Sequence, residues 1–113
     1  MNARILVAAL VLVLLPAAVW AHAMLEQASP AAGSTMQGSP AEIRLKFTKE
    51  ITDATTVTVT GPAGRVDAGK PLFEPYVVRI RLKPMATGTY KVEWHAMSAD
   101  GHATQGSYTF TVK

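Results

Sequence analysis

Cysteine is absent from all 113 residues. Disulfide bracing, thiolate zinc sites and a cysteine nucleophile are thereby excluded, and the redox compartment has to be read from other features. Strong charge is also missing. The formal net charge is +3, and residues 22–113 hold ten basic against eight acidic side chains, with no basic run interleaved with aromatics, which excludes an obvious nucleic-acid surface. No glycine-rich phosphate loop, nucleophile elbow or divided pair of carboxylates is present, so the familiar enzyme signatures are lacking. Methionine is sparse: Met24, Met36, Met85 and Met97 lie far apart, whereas a soft thioether metal site needs several to converge. Beyond residue 21 no window carries the 3.6-residue period of an amphipathic helix.

What is present begins with a leader. Met1 to Ala21 has a basic start at Arg4, an apolar run from Ile5 to Leu15, then Pro16 and small residues ending in Val19-Trp20-Ala21, the three parts of a secretory signal peptide. Its removal gives a signal peptide over 1–21 and one exported domain over 22–113, with His22 as first residue. Two other readings stay open. Ala21-His22-Ala23 also fits the small-x-small rule, and a cut there would discard His22. The apolar stretch from Ile5 to Ala21 is just short of the roughly 20 residues that span a bilayer, so it would also suit an uncleaved anchor.

The exported region reads as β structure. Ile43, Leu45 and Phe47 alternate with Glu42, Arg44 and Lys46, the pattern of a strand with one face in a core and one in water. Thr55–Thr60 repeats it, with Val57 and Val59 inward and threonines outward, and Gly61-Pro62-Ala63-Gly64 ends it. Residues 65–75 hold Gly69, Pro71 and Pro75, which predicts a long connection with at most short strands. Tyr76, Val78, Ile80 and Leu82 then alternate with Val77, Arg79 and Arg81. Thr89–Ala96 places Tyr90, Val92, Trp94 and Ala96 inward and Lys91, Glu93 and His95 outward, and Ser107–Val112 buries Tyr108, Phe110 and Val112. Six or seven short strands joined by Gly/Pro turns predict an all-β, antiparallel sandwich or small barrel. Without disulfides, a domain of this size stands on its core alone.

The chemistry-bearing stretch is Ser98-Ala99-Asp100-Gly101-His102, between the last two strands. In extended backbone, alternate residues project to one side, and Gly101 lets the chain bend closely around an ion. Taken alone, Asp-Gly-His is an ordinary polar turn. His22 changes that reading if it is N-terminal, because a free amine and its own imidazole Nδ1 close a six-membered chelate ring. With Asp100 and His102 this gives three nitrogens and one oxygen, a set that suits Cu(II) before nickel, while zinc prefers a tetrahedron. His95 falls on an outward face and reads as a surface residue.

These residues also carry a resemblance. His22-Ala23 after a leader, Ser29-Pro30-Ala31-Ala32-Gly33-Ser34, Pro40 with Ile43-Arg44-Leu45-Lys46-Phe47, Tyr90-Lys91-Val92-Glu93-Trp94, and Ser98–His102 followed by Gly106-Ser107-Tyr108-Thr109-Phe110 resemble, in order and spacing, the CopC copper-resistance proteins. The resemblance spans the whole region from His22. It implies a periplasmic Greek-key β-sandwich or barrel, monomeric, that binds copper and passes it to an inner-membrane copper transporter or a periplasmic copper oxidase. It also implies that His22 with its amine, Asp100 and His102 are the Cu(II) ligands. Two departures stand out. Gly61–Tyr76 lacks the methionines and histidine with which some members take Cu(I), and Lys49, followed by Glu50, occupies a position where the family often has glutamate.

A copper carrier or buffer, not an enzyme, uses every unusual feature. A histidine-brace oxidative enzyme is the alternative. Against it, Asp100 as a hard ligand favours Cu(II) over the Cu(I) needed for oxygen activation. A metal-free adhesive or structural sandwich is the third reading, favoured if the mature chain does not start at His22.

Overall fold

The computed structural model describes residues 22–113, so the expected leader lies outside the described residues. Nine strands and no helix occur among them. They are β1 (Leu25–Ser29), β2 (Thr35–Met36), β3 (Glu42–Phe47), β4 (Thr56–Gly61), β5 (Gly64–Arg65), β6 (Asp67–Glu74), β7 (Val77–Leu82), β8 (Gly88–Met97) and β9 (Ala103–Val112). One sheet has the order β1-β3-β7-β6 and the other β2-β9-β8-β4-β5, so the domain is a two-sheet β-sandwich. Neighbours pair antiparallel except β2, which runs parallel to β9.

The alternating patterns become the two inner faces. Ile43, Leu45 and Phe47 from β3 and Val78 and Ile80 from β7 meet Val57 and Val59 from β4, Val92 and Ala96 from β8, and Tyr108, Phe110 and Val112 from β9. Phe47, Leu45 and Val78 are completely covered, and burying such a side chain contributes about 1.5–3 kcal/mol. Tyr90 stacks on Phe110 with ring centroids 5.8 Å apart. Trp94 stands half-buried between Phe47 and Tyr108, 6.5 and 6.4 Å away. Directly across the ladder lies Gly106, where a Cβ would collide with the indole. The glycine is therefore a seat for the ring.

Several expectations need correction. Residues 65–75 are not a loose connection, because β6 runs through Gly69 and Pro71 for eight residues. The register shifts between Ala68 and Leu72, and β6 is the outermost strand of its sheet, where a proline removes no needed ladder donor. Asp67 ties this edge to β4 by accepting from the Val59 amide at 3.0 Å. Tyr76 is not in the core. With Pro75 it forms the turn from β6 to β7, its side chain is largely exposed, and Val77 is buried instead. Thr55 does not face outward: it is buried, and its hydroxyl accepts from the Met97 amide at 3.1 Å. β1 and β2 lacked strong alternation, and β9 starts at Ala103 rather than Ser107.

The Tyr108 hydroxyl is buried with no hydrogen-bond partner among the described residues, and burial pushes its pKa up to about 12. Replacing Tyr108 with Phe is expected to raise stability by about 1 kcal/mol, since an unpaired buried hydroxyl carries a desolvation cost of that order. Folding also suppresses ionisation here, so the wild type should lose stability between about pH 10 and 12 and the variant should not lose this component. Urea unfolding at neutral and alkaline pH measures both, and a variant less stable at neutral pH would show that the hydroxyl has a partner.

Candidate metal centre

Strands β8 and β9 stay in register from Gly88 opposite Val112 to Met97 opposite Ala103, and the Ser98–His102 loop closes this long hairpin. The loop is held by its own backbone. The Ser98 amide donates to the His102 carbonyl at 2.9 Å and the Gly101 amide to the Ser98 carbonyl at 3.0 Å. Gly101 sits at φ +91°, a left-handed conformation that glycine adopts without penalty. Outside support comes from the segment after β3, where the Glu50 carbonyl accepts from the Ala99 amide at 2.9 Å.

Ser98 is fully buried under this loop, and its hydroxyl bonds Asp100 Oδ1 and also contacts the His102 carbonyl and amide at 3.0 and 3.2 Å. Asp100 Oδ1 further meets His102 Nδ1 at 3.1 Å. The Ser98 hydroxyl, then the His102 ring and amide, hold the exposed Asp100 carboxyl down at about pKa 2, against an ordinary value near 4. Because this pKa is depressed, the contribution to stability is complete above about pH 4 and is lost as the pH falls through about 2. Across the physiological range Asp100 is a carboxylate, which only accepts. In a neutral imidazole, its contact with Nδ1 favours the proton there and a lone pair on His102 Nε2.

His22 is brought to this loop from the other end of the domain. The Thr104 hydroxyl donates to the Ala23 carbonyl at 2.7 Å, and Ala23 is buried. Thr48 grips Met24 from both sides: the Met24 amide donates to the Thr48 hydroxyl at 3.0 Å, and the Thr48 amide to the Met24 carbonyl at 2.9 Å. Between these clamps and the loop, the His22 and His102 rings meet edge to face with centroids 5.2 Å apart. The structure thus brings His22, Asp100 and His102 together, linked pairwise through His102. Among the described residues no three His, Cys, Asp or Glu side chains already close around a single point. With the chain uncut, the His22 nitrogen is an amide, so the fourth donor anticipated from the sequence is created only by processing.

The donor set fits copper. Two imidazoles, a carboxylate kept ionised and with Oδ2 unpaired among the described residues, and a prospective amine are nitrogen and oxygen donors, without sulfur. His95 lies apart from them on the outer face of its sheet, opposite Thr56 and Gln105. Lys49 and Glu50 line, with Thr48, Tyr76, Ser98, Ala99 and Asp100, an open groove of about 390 Å³ beside the loop. Reasoning from the sequence did not find the work of Ser98, Thr104 or Thr48. For Ser98 its place in the loop was a signal, while nothing local marks Thr104 as a partner of Ala23.

Comparison with known proteins places the chain in a family. The family model for the CopC domain matches residues 25–113. The chain belongs to the CopC domain family. Its relatives include Protein YobA of Escherichia coli K12, 40% identical over 106 residues that cover 84% of this chain and 82% of YobA. Copper resistance protein C of Escherichia coli is 36% identical, with 82% of each chain covered. Among solved structures, PcoC, a methionine-rich copper resistance protein from Escherichia coli, superposes with a TM-score of 0.72 at 33% identity, covering 81% of this chain and 99% of PcoC. In this CopC-domain chain Gly61–Tyr76 contains no methionine.

Proposed function

We propose that this chain is a copper-binding protein of the periplasm that holds one Cu(II) through His22, Asp100 and His102 and carries or buffers it for copper resistance or homeostasis. The observation that carries the reading is the docking of His22 against His102, with that ring already held by Asp100. Residues 22 and 102 have no local reason to meet. Copper here is cargo: it draws electron density from the donors and asks nothing else of the protein. His102 offers Nε2, Asp100 its second oxygen, and His22 its ring and, once residues 1–21 are removed, its amine. The hard carboxylate favours the oxidised ion, which supports a carrier over an oxidative enzyme, and the absence of clustered thioethers supports weak retention of Cu(I). Onward partners are an inner-membrane copper transporter or a periplasmic copper oxidase.

Titration of the processed protein with Cu(II), followed by electron paramagnetic resonance and repeated with a reductant and a Cu(I) competitor, tests the reading. One nitrogen-rich Cu(II) site and loss of the ion on reduction are expected. Repeating the titration in mild acid should weaken binding, because imidazole and amine nitrogens must shed protons to coordinate. Asp100 stays ionised down to about pH 2, so a loss in mild acid does not come from this carboxylate. Failure to bind Cu(II) stoichiometrically, or an affinity flat from neutral to mildly acidic pH, would overturn the proposal.

A further inference from the structure

Resting on that reading, we infer that Ser98 and Thr104 are positioning residues that set the two halves of the copper site before the ion arrives. Neither is offered as a ligand. Each acts on a different half, through a hydroxyl aimed away from solvent or toward a buried peptide.

Ser98 governs the half formed by Asp100 and His102. The loop would close through backbone bonds alone, from the Ser98 amide to His102 and from the Gly101 amide to Ser98. The hydroxyl adds something those bonds do not, because it reaches the Asp100 carboxylate as well as both backbone polar groups of His102. A hydroxyl has one proton and two lone pairs. Fully buried, with its partners all within five residues, this one has no solvent to turn toward. It therefore restricts the Asp100 side chain and the His102 backbone together, and Asp100 in turn orients the imidazole through Nδ1. Indirect control of this kind fixes which ring nitrogen faces the metal.

Thr104 governs the half formed by His22. The first residues of a chain are ordinarily loose unless something ties them down. Here the Thr104 hydroxyl fixes the peptide directly after His22, at 2.7 Å from the Ala23 carbonyl, while the Ala23 methyl is buried in the core. Burial of a methyl holds position along the chain, and the hydrogen bond adds the rotation of the peptide that aims His22 at His102. The conformational entropy of the terminus is then lost on folding rather than on binding, which leaves more of the metal–ligand interaction to appear as affinity.

The test compares processed wild type with Ser98→Ala, Thr104→Val and His102→Ala, using Cu(II) competition titration, electron paramagnetic resonance and urea unfolding. Ser98→Ala and Thr104→Val are each expected to bind about tenfold more weakly, the lower end of the range for lost orienting partners. Ser98→Ala should also alter the resonance parameters, because the carboxylate and ring reorient. Thr104→Val should keep the wild-type spectrum at saturation, because the same donors still assemble. Wild-type affinity and spectrum in both variants would overturn the inference, including where urea shows lower stability, since the hydroxyls would then serve the fold alone. If Ser98→Ala does not fold, Thr104→Val decides: it replaces one hydroxyl with a methyl of similar size, and an unchanged affinity sinks the proposal. A wild type that binds no copper, or a His102→Ala protein that binds as well as wild type, instead removes the copper reading itself.

Discussion

Adding one alanine ahead of His22 in the processed protein should weaken Cu(II) binding by more than the roughly 10- to 100-fold that follows loss of an outer partner. The extension converts the His22 amine to an amide and breaks the six-membered chelate with its own ring. Nothing else in the site needs to change. Ala23 remains buried and bonded by Thr104, Met24 remains gripped by Thr48, and the His22 ring can still lie against His102. A site made from the side chains of His22, Asp100 and His102 alone would hardly register the added residue. The new terminal amine and a deprotonated amide offer copper a different chelate, so the resonance spectrum has to be compared along with the affinity. An extended protein with the wild-type affinity and spectrum would show that the amine is not a ligand and that processing has no part in the chemistry.

Phe47→Ala should cost about 3–5 kcal/mol, the range for emptying an aromatic site in a packed core. Phe47 is completely covered, stands at the end of β3 opposite Leu25, and packs edge-on against Trp94. It therefore joins the strand that leads into Thr48 to the sheet that carries the Ser98–His102 loop. Against a total of about 5–15 kcal/mol for a typical domain, such a loss is a large fraction, and there is no disulfide to limit it. The urea midpoint should fall sharply with little change in slope. A loss below 1 kcal/mol would show that the surrounding side chains collapse into the space, and that the two sheets do not depend on this ring.

The core strands were legible because each has one wet and one dry face, and a period of two survives in the sequence wherever that holds. β3, β4, β8 and most of β9 satisfy it. β6 does not, since its outermost position tolerates Gly69 and Pro71, residues that ordinarily mark a connection. β1 and β2 are short and partly exposed, so no alternation distinguishes them. Tyr76 continued the apolar parity of β7 by coincidence of spacing, although it belongs to the turn. The candidate site was legible as a set of proposed donors: His22, Asp100 and His102 stand out by residue type. What holds them was not. The Thr104–Ala23 bond spans 81 residues and joins a hydroxyl to a carbonyl, groups that almost every stretch of sequence possesses.

The pairing of Trp94 with Gly106 has a consequence for how such a domain can drift through mutation. A side chain at 106 collides with the indole, and overpacking of this sort costs about 1–3 kcal/mol. Removing the indole first would open that space but strip the cover from the glycine and from the sheet beside Phe47 and Tyr108. Each single step is uphill, while the two together restore a filled volume. Positions 94 and 106 should therefore change jointly or stay fixed among related chains. Thr104 lies two residues before this locked position on β9, so the hydroxyl that aims His22 stands on a stretch of strand whose neighbours have little freedom to vary.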